Sequence, residues 1–305
     1  MRPSVLAIFG PTASGKSAVA EAVVDRIGGE VVSADSAQVY RGLPILTNQP
    51  LVATRLVGIW ELDHDASVAE YQRLAHGAVD EILARGSTPV VVGGTGLYLR
   101  AALSDLELPP APIGGTRERL ERLYERLGPE RAHALLTERD PGAAERVHPN
   151  DRRRVVRALE LEEAGASLRP ADNRLWTSDM RHPTLLVGLD IPRDVLVERI
   201  EERAEAMFAA GVREEVLRAL ERPLSPTAGN VLGLRPIADL PPAEALHALV
   251  VRTRRLAAYQ RKWMRRVTGL VSVAGDRPPG EIADDILDMA GRREPLPAHG
   301  GAPRR

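Results

Sequence analysis

Residues 10–17 read Gly-Pro-Thr-Ala-Ser-Gly-Lys-Ser, a spacing suited to holding a phosphate group. In the pattern G-x-x-x-x-G-K-[ST], Gly10 and Gly15 let the backbone turn back so that several N–H groups face one anion. Lys16 adds a compact positive charge, and Ser17 offers a hydroxyl to a Mg²⁺ ion. Pro11, Thr12, Ala13 and Ser14 complete the candidate phosphate-binding segment. The chain carries 41 Lys and Arg residues, yet Lys16 and Lys262 are its two lysines. An arginine fork does not replace a point charge inside a tight cradle, so the lysine at 16 marks a working site.

The flanking residues predict the elements that hold this loop. Residues 5–9 form a short apolar run, a strand. Residues 17–27 place Ala, Val and Ile at helical spacing, giving a helix whose positive end faces the anion. After Gly28 and Gly29, residues 30–33 read as a second strand. It runs into Ser-Ala-Asp-Ser-Ala-Gln-Val-Tyr-Arg-Gly at 33–42. Asp35, just beyond a strand, lies at the carboxyl edge, where ligands bind in open α/β sheets. The same residue also fits a turn cap, with Gln38 three positions on. Residues 43–66 read as loop, residues 66–85 as an amphipathic helix, and residues 88–98 as a buried strand entering a glycine turn that carries the Thr95 hydroxyl. Strands alternating with helices predict an α/β fold with a parallel sheet and helices on both faces.

Composition changes at Pro109, Pro110, Pro112, Gly114 and Gly115, a linker. Residues 116–166 read as purely helical, with Leu120, Leu123, Tyr124 and Leu127 on one face. Arg152, Arg153, Arg154 and Arg157 open a helix in this block and oppose its dipole, which calls for a compensating anion and points toward phosphate contacts. A strand returns at 184–190, so the block is expected to be a helical insertion at 113–180, with core segments at 1–112 and 181–291. Residues 292–305, rich in Pro and Gly, are expected to be disordered. A helix begun by Pro192 sets Arg199, Arg203 and Met207 on one stripe. Either arginine could reach an anion at the sheet edge or pair with Glu198, Glu201 or Glu202. Residues 252–266 carry seven basic side chains and no acid. With Leu256, Tyr259, Trp263 and Val267 read as the core face, the other face is a basic stripe, the footprint of a polyanion.

The whole chain narrows the classes. At 305 residues and 44% hydrophobic, it can bury a large core. A formal charge of −1 gives no global field for nucleic acid, so any such contact uses local patches. The absence of cysteine excludes disulfides and thiolate metal sites. No apolar run approaches the ~18–20 residues that span a bilayer, and no signal peptide is read at the start. The expectation is a soluble, cytoplasmic protein. No protein partner is implied, and a monomer is expected.

Five stretches together resemble the tRNA dimethylallyltransferase (IPP transferase) family. They are GPTASGKS at 10–17, SADSAQVYRG at 33–42, GGTGLY at 93–98, HPNDRRRVVRALE at 148–160, and Thr253-Arg254-Arg255-Leu256 with Gln260 and Trp263. The resemblance implies a P-loop, nucleotide-kinase-like core with a helical insertion. It implies transfer of a dimethylallyl group from dimethylallyl diphosphate to the exocyclic N6 amine of the adenosine 3′ to the anticodon in tRNA, releasing pyrophosphate. Mg²⁺ on Ser17 is the implied cofactor. Residues 10–17 would hold the diphosphate, Asp35 would be the general base, and Thr95 and Arg203 would complete the catalytic set. Contacts to tRNA are implied for Asp35, Ser36, Ala37, Gln38, Arg117, Arg152, Arg153, Arg154, Arg254 and Arg255.

The chain departs from the family pattern at 46–50, at 59–62 and at 232–236, and Ala258-Tyr259 replaces a Lys-Arg pair. Three other readings compete. A prenyltransferase of free adenine nucleotides would need neither the insertion nor the basic stripe. A P-loop kinase of a small metabolite would bind and hydrolyse a nucleoside triphosphate. An RNA-binding protein without catalysis would have no use for Lys16, Ser17 and Asp35 together.

Overall fold

The computed structural model describes residues 3–108, 114–168 and 177–292. The linker prolines and the 293–305 tail singled out in the sequence lie outside the described residues. The described residues fall into two units, one within 1–105 and 174–305 and the other within 106–173.

The first unit is built on a six-stranded parallel sheet. Its strands are β1 (Val5–Phe9), β2 (Glu30–Ser33), β3 (Thr54–Arg55), β4 (Pro89–Gly93), β5 (Thr184–Asp190) and β6 (Val271–Ala274), in the order β3-β2-β4-β1-β5-β6. The central strands are apolar at nearly every position because both sheet faces are covered. Leu6, Ile8, Val90, Val92 and Val187 pack on one face with Val19, Ala20 and Val23 of α1 (Lys16–Ile27) and with Ile282 and Ile286 of α12 (Pro279–Arg292). The alternate residues Ala7, Val32, Val91 and Leu186 are equally buried. On their side lie α2 (Val68–Ala84) and α3 (Gly96–Leu103).

Two strands correct the sequence reading. β3 lies within 43–66, which reads as loop, and its two residues are too few to show alternation. β6 follows the basic stretch as a half-exposed edge strand. The return at 184–190 is β5, which inserts beside β1 and completes the sheet. The remaining helices of this unit are α8 (Arg193–Ala209), α9 (Val212–Leu220), α10 (Leu234–Asp239) and α11 (Pro242–Met264).

The second unit contains α4 (Thr116–Leu127), α5 (Pro129–Arg139), the short α6 (Pro141–Ala144) and α7 (Arg152–Glu163). Leu120, Tyr124, Leu136, Val155, Val156 and Leu159 form its core, with Leu123 and Leu127 against it. Asp151 caps α7 by accepting from the Arg154 N–H at 3.2 Å.

Candidate active site

Strand register brings three loops together. Phe9 is paired with Gly93 and Ser33 with Val92. The segments following β1, β2 and β4 therefore leave the sheet side by side at its carboxyl edge, where a cavity of about 730 Å³ opens.

The phosphate loop turns through two left-handed residues, Gly15 at φ 83° and Ala13 at φ 64°. Glycine takes this conformation freely, whereas for alanine it costs roughly 1–2 kcal/mol, a strain of the kind found at ligand clamps. The N–H groups divide into two sets. Gly10 donates to the Gly93 carbonyl at 3.3 Å, Ser14 to the Pro11 carbonyl at 3.2 Å, and Thr12 to Gln260 Oε1 at 2.8 Å. Those of Gly15, Lys16 and Ser17 open α1, where no intrahelical acceptor exists, and are the donors left for an anion. Ser14 Oγ is buried with no hydrogen-bond partner.

Cations gather on this loop. Lys16 Nζ donates to the Pro11 carbonyl at 3.4 Å. Burial lowers its pKa to about 8, with Asp35 pulling it up and Arg203 pushing it down. Arg203, from α8, donates through Nη2 to Thr12 Oγ1 at 2.5 Å, and burial lowers its pKa against the opposing pull of Asp35. Among the described residues no ion pair holds Arg203. Arg199, one turn earlier, also lines the cavity and donates to the Gly275 carbonyl at 3.4 Å. Of the glutamates that could have neutralised this stripe, Glu201 pairs instead with Arg254.

Asp35 does both things its sequence context allows. Its Oδ1 accepts from the Ala37 N–H at 2.9 Å, closing a turn over two residues rather than the three of a capping box, and its side chain lines the cavity. Ser36 Oγ lies 3.4 Å from Thr95 Oγ1, so the β2 and β4 loops touch through two hydroxyls. Gln38 receives the Ser33 hydroxyl at 2.8 Å and donates to the Asn48 carbonyl at 2.9 Å, tying the 46–50 segment to the site. The buried Glu215 of α9 fixes the base of that segment by accepting from the Ile45 and Leu46 N–H groups, both at 2.8 Å. Leu46, Val231, Leu232, Leu249, Leu256 and Met207 also line the cavity. One cavity thus offers anion donors, a carboxylate and an apolar wall.

The structure brings Thr12, Ala13, Gly15, Lys16, Ser17, Asp35, Ala37, Gln38 and Arg203 to this cavity. Gly10, Pro11, Ser14, Ser36 and Thr95 do not line it. The cavity wall at 46–51 reads as plain loop in the sequence. Its placement depends on Glu215, about 170 residues away, and no local signal announces it.

Of the arginines expected to contact RNA, Arg117, Arg152, Arg154 and Arg254 have carboxylate partners in the structure. Arg152 pairs with Glu125 at 2.9 Å and Glu121 at 3.6 Å, and Arg154 with Asp151 at 3.6 Å. Arg117 and Arg157 both bind the buried Glu160, at 2.8 and 3.1 Å. Carboxylates of its own unit thus lie beside three of the four arginines at the α7 start. Arg153 and Arg255 are exposed. A further correction concerns α11. Its buried stripe is Leu249, Thr253, Ala257, Gln260 and Met264, while Tyr259, assigned to the core face, is 58% exposed. The basic residues flank that stripe, with Arg261 within 3.4 Å of Asp190.

Comparison with known proteins was informative across most of the chain. The family model described as IPP transferase matches residues 38–267. A tRNA dimethylallyltransferase of Streptomyces coelicolor is 41% identical over 278 residues, covering 87% of this chain and 88% of that one. Another from Anaeromyxobacter is 40% identical over 299 residues, covering 92% and 97%. The crystal structure of the Bacillus halodurans tRNA isopentenylpyrophosphate transferase is similar at TM-score 0.67 and 31% identity, covering 94% of this chain and 95% of that one. A eukaryotic dimethylallyltransferase acting on tRNA shares the fold at TM-score 0.73 and 23% identity.

Proposed function

The chain belongs to the IPP transferase family, and on that premise we propose that it transfers a dimethylallyl group from dimethylallyl diphosphate to the N6 amine of the adenosine 3′ to the anticodon in tRNA. The observation that carries this reading is the composition of the cavity. Phosphate-loop donors, Lys16, Arg203 and Asp35 share one cavity with Leu, Val and Met side chains, which suits a ligand that carries both an anionic and an apolar part.

In the reaction the bond from the allylic carbon to the diphosphate oxygen breaks, a C–N bond forms, and the amine loses a proton. The α1 N–H groups, Lys16 and Arg203 stabilise charge developing on the leaving diphosphate. Asp35 accepts the proton through the oxygen not engaged with Ala37. Thr95, joined to Ser36, orients the β2 loop beside Asp35. The target base must leave its stack to reach the cavity.

The residues fit a Mg²⁺ ion. Ser17 places a hard oxygen at the α1 start, and a cation bound chiefly through substrate phosphates needs few protein ligands. Among the described residues no cluster of three or more His, Cys, Asp or Glu forms a separate metal cage. When bound, Mg²⁺ neutralises charge on the diphosphate.

For tRNA, Arg117, Arg152, Arg153 and Arg154 in one unit and Arg254 and Arg255 in the other each supply positive charge, with Ser36, Ala37 and Gln38 near the base. Among the described residues no helix is long and apolar enough to cross a membrane. The chain acts in the cytoplasm as a monomer.

The test is incubation with dimethylallyl diphosphate, Mg²⁺ and unmodified tRNA, followed by mass analysis of the nucleosides. A prenylated adenosine is expected. Prenylation of free adenosine monophosphate with tRNA untouched would overturn the acceptor, and nucleoside triphosphate hydrolysis with no prenyl transfer would overturn the reaction class.

A further inference from the structure

Gln260 is an uncharged, 4% exposed side chain on the buried stripe of α11, and no part of the reaction above uses it. Its Oε1 accepts the Thr12 N–H at 2.8 Å across 248 residues of sequence. Thr12 in turn receives Arg203 Nη2 on its hydroxyl at 2.5 Å. The three residues form one relay running from α11 through the Thr12 backbone and hydroxyl to α8. The glutamine is also held on its other side. A Cβ at Gly94 would lie 2.5 Å from Gln260 Nε2, and one at Gly96 would lie 2.1 Å from the Trp263 ring, so α11 sits directly on the glycine turn after β4. The helix has no freedom to slide there, and the amide is fixed where Thr12 needs an acceptor.

The bond has a second effect. It removes the Thr12 N–H from the donors available to a ligand and turns that stretch of the loop so that the Thr12 hydroxyl faces Arg203. A half-buried arginine with no ion-pair partner among the described residues depends on such a contact to keep one orientation. A fork aimed in advance binds a planar array of phosphate oxygens better than a mobile one.

We propose that Gln260 is a positioning residue for the diphosphate site, acting through Thr12 to aim Arg203. This rests on the reading of the cavity as a diphosphate site and adds the residue that sets its geometry. It also makes α11, whose flanks carry Arg255 and Lys262, the element that connects the basic surface with the leaving-group site.

The experiment measures pyrophosphate binding to the full chain by calorimetry in Gln260→Met, Thr12→Val and the double variant, with tRNA affinity and thermal unfolding followed alongside. Methionine matches glutamine in length and removes the acceptor. Gln260→Met is expected to weaken pyrophosphate binding about tenfold, the scale of one missing hydrogen bond to a charge-binding group, with tRNA affinity unchanged. In the Thr12→Val background the same substitution should cost less than about twofold, since residues acting through one another are not additive. Equal losses in both backgrounds, or unaltered pyrophosphate binding in a folded Gln260→Met, overturn the relay. If Gln260→Met unfolds, Gln260→Glu, which keeps an acceptor for Thr12, is compared with Gln260→Leu. Tighter pyrophosphate binding by the leucine variant would then reject the relay. A wild-type chain that does not bind pyrophosphate overturns the diphosphate reading itself, an outcome distinct from failure of the relay alone.

Discussion

Two sets of arginines in this molecule have been treated in opposite ways. Along α7 the guanidinium groups lie in or near solvent, and carboxylates meet them: Glu121 and Glu125 at Arg152, Asp151 at Arg154, and the buried Glu160 at Arg157. On α8, Arg203 is half-buried, desolvation lowers its pKa, and it donates to a threonine hydroxyl rather than to a carboxylate. Burying a charge without an ion partner is costly. A fold that does so beside three free helix N–H groups keeps the place of the missing anion open for a ligand. Abundance of arginine therefore says little in this chain, and the absence of a protein carboxylate says much.

The sharpest test concerns Asp35, the carboxylate whose field reaches both Lys16 and Arg203. Asp35→Asn keeps an acceptor for the Ala37 N–H, so the turn and the fold should survive. Turnover should fall by ~10²–10⁴ if the lost function is proton acceptance. Near-normal turnover would reduce Asp35 to a turn residue and remove the carboxylate from the chemistry.

Next in size is the contrast itself. Arg203→Gln and Lys16→Ala should each lower the rate by ~10²–10³, the usual penalty for removing one preorganised donor to developing charge. Arg153→Gln, on the exposed side of α7, should leave turnover at saturating tRNA within about twofold. Similar losses at 203 and 153 would show that burial does not distinguish the two sets.

A smaller effect is expected from the exposed basic surface. Replacing Arg254 and Arg255 by alanine should reduce the slope of log affinity for tRNA against log salt by about one unit for each phosphate no longer neutralised. Arg254 already has Glu201, so most of the change should come from Arg255, and single variants measured at several salt concentrations will separate them.

The mildest prediction is a pH dependence. The Lys16 ammonium releases its proton near pH 8 in the free protein. Apparent affinity for the diphosphate should decline above that pH, while kcat should hold further up because the bound anion retains the proton. Stability moves the other way. The folded pKa lies below the unfolded one, so the unfolded chain binds more protons between about pH 8 and 10.5, and the free protein should gain stability as pH rises through that window. A Lys16→Met variant should show neither trend.

Legibility in the sequence follows the reason for each residue. The phosphate loop can be read because its chemistry dictates both residue type and spacing, and the central strands because a sheet covered on both faces demands apolar runs. Asp35 is visible from its place two residues beyond the end of β2. The stripe of α11 misleads because its buried side packs chiefly on α8 and α10 rather than on the sheet. Gln260 goes inside with the Thr12 N–H as its partner, while Tyr259, more apolar to the eye, stays out. β3 and β6 escape notice for want of length and of full burial. The 46–51 wall is hidden because Glu215 holds it from a distant helix.

The scarcity of lysine gives the molecule an unusual profile toward covalent reagents. An acylating or carbamoylating compound meets two side-chain amines besides the chain terminus. Lys262 is exposed. Lys16, with its pKa near 8, is about half free amine at pH 8, against less than ~1% for an ordinary lysine. Modification should therefore begin inside the cavity, be blocked by a bound diphosphate, and give a direct count of competent sites in a preparation. A reagent with a short apolar tail and an electrophile would reach the same nitrogen from the apolar wall of Leu249, Leu256 and Met207.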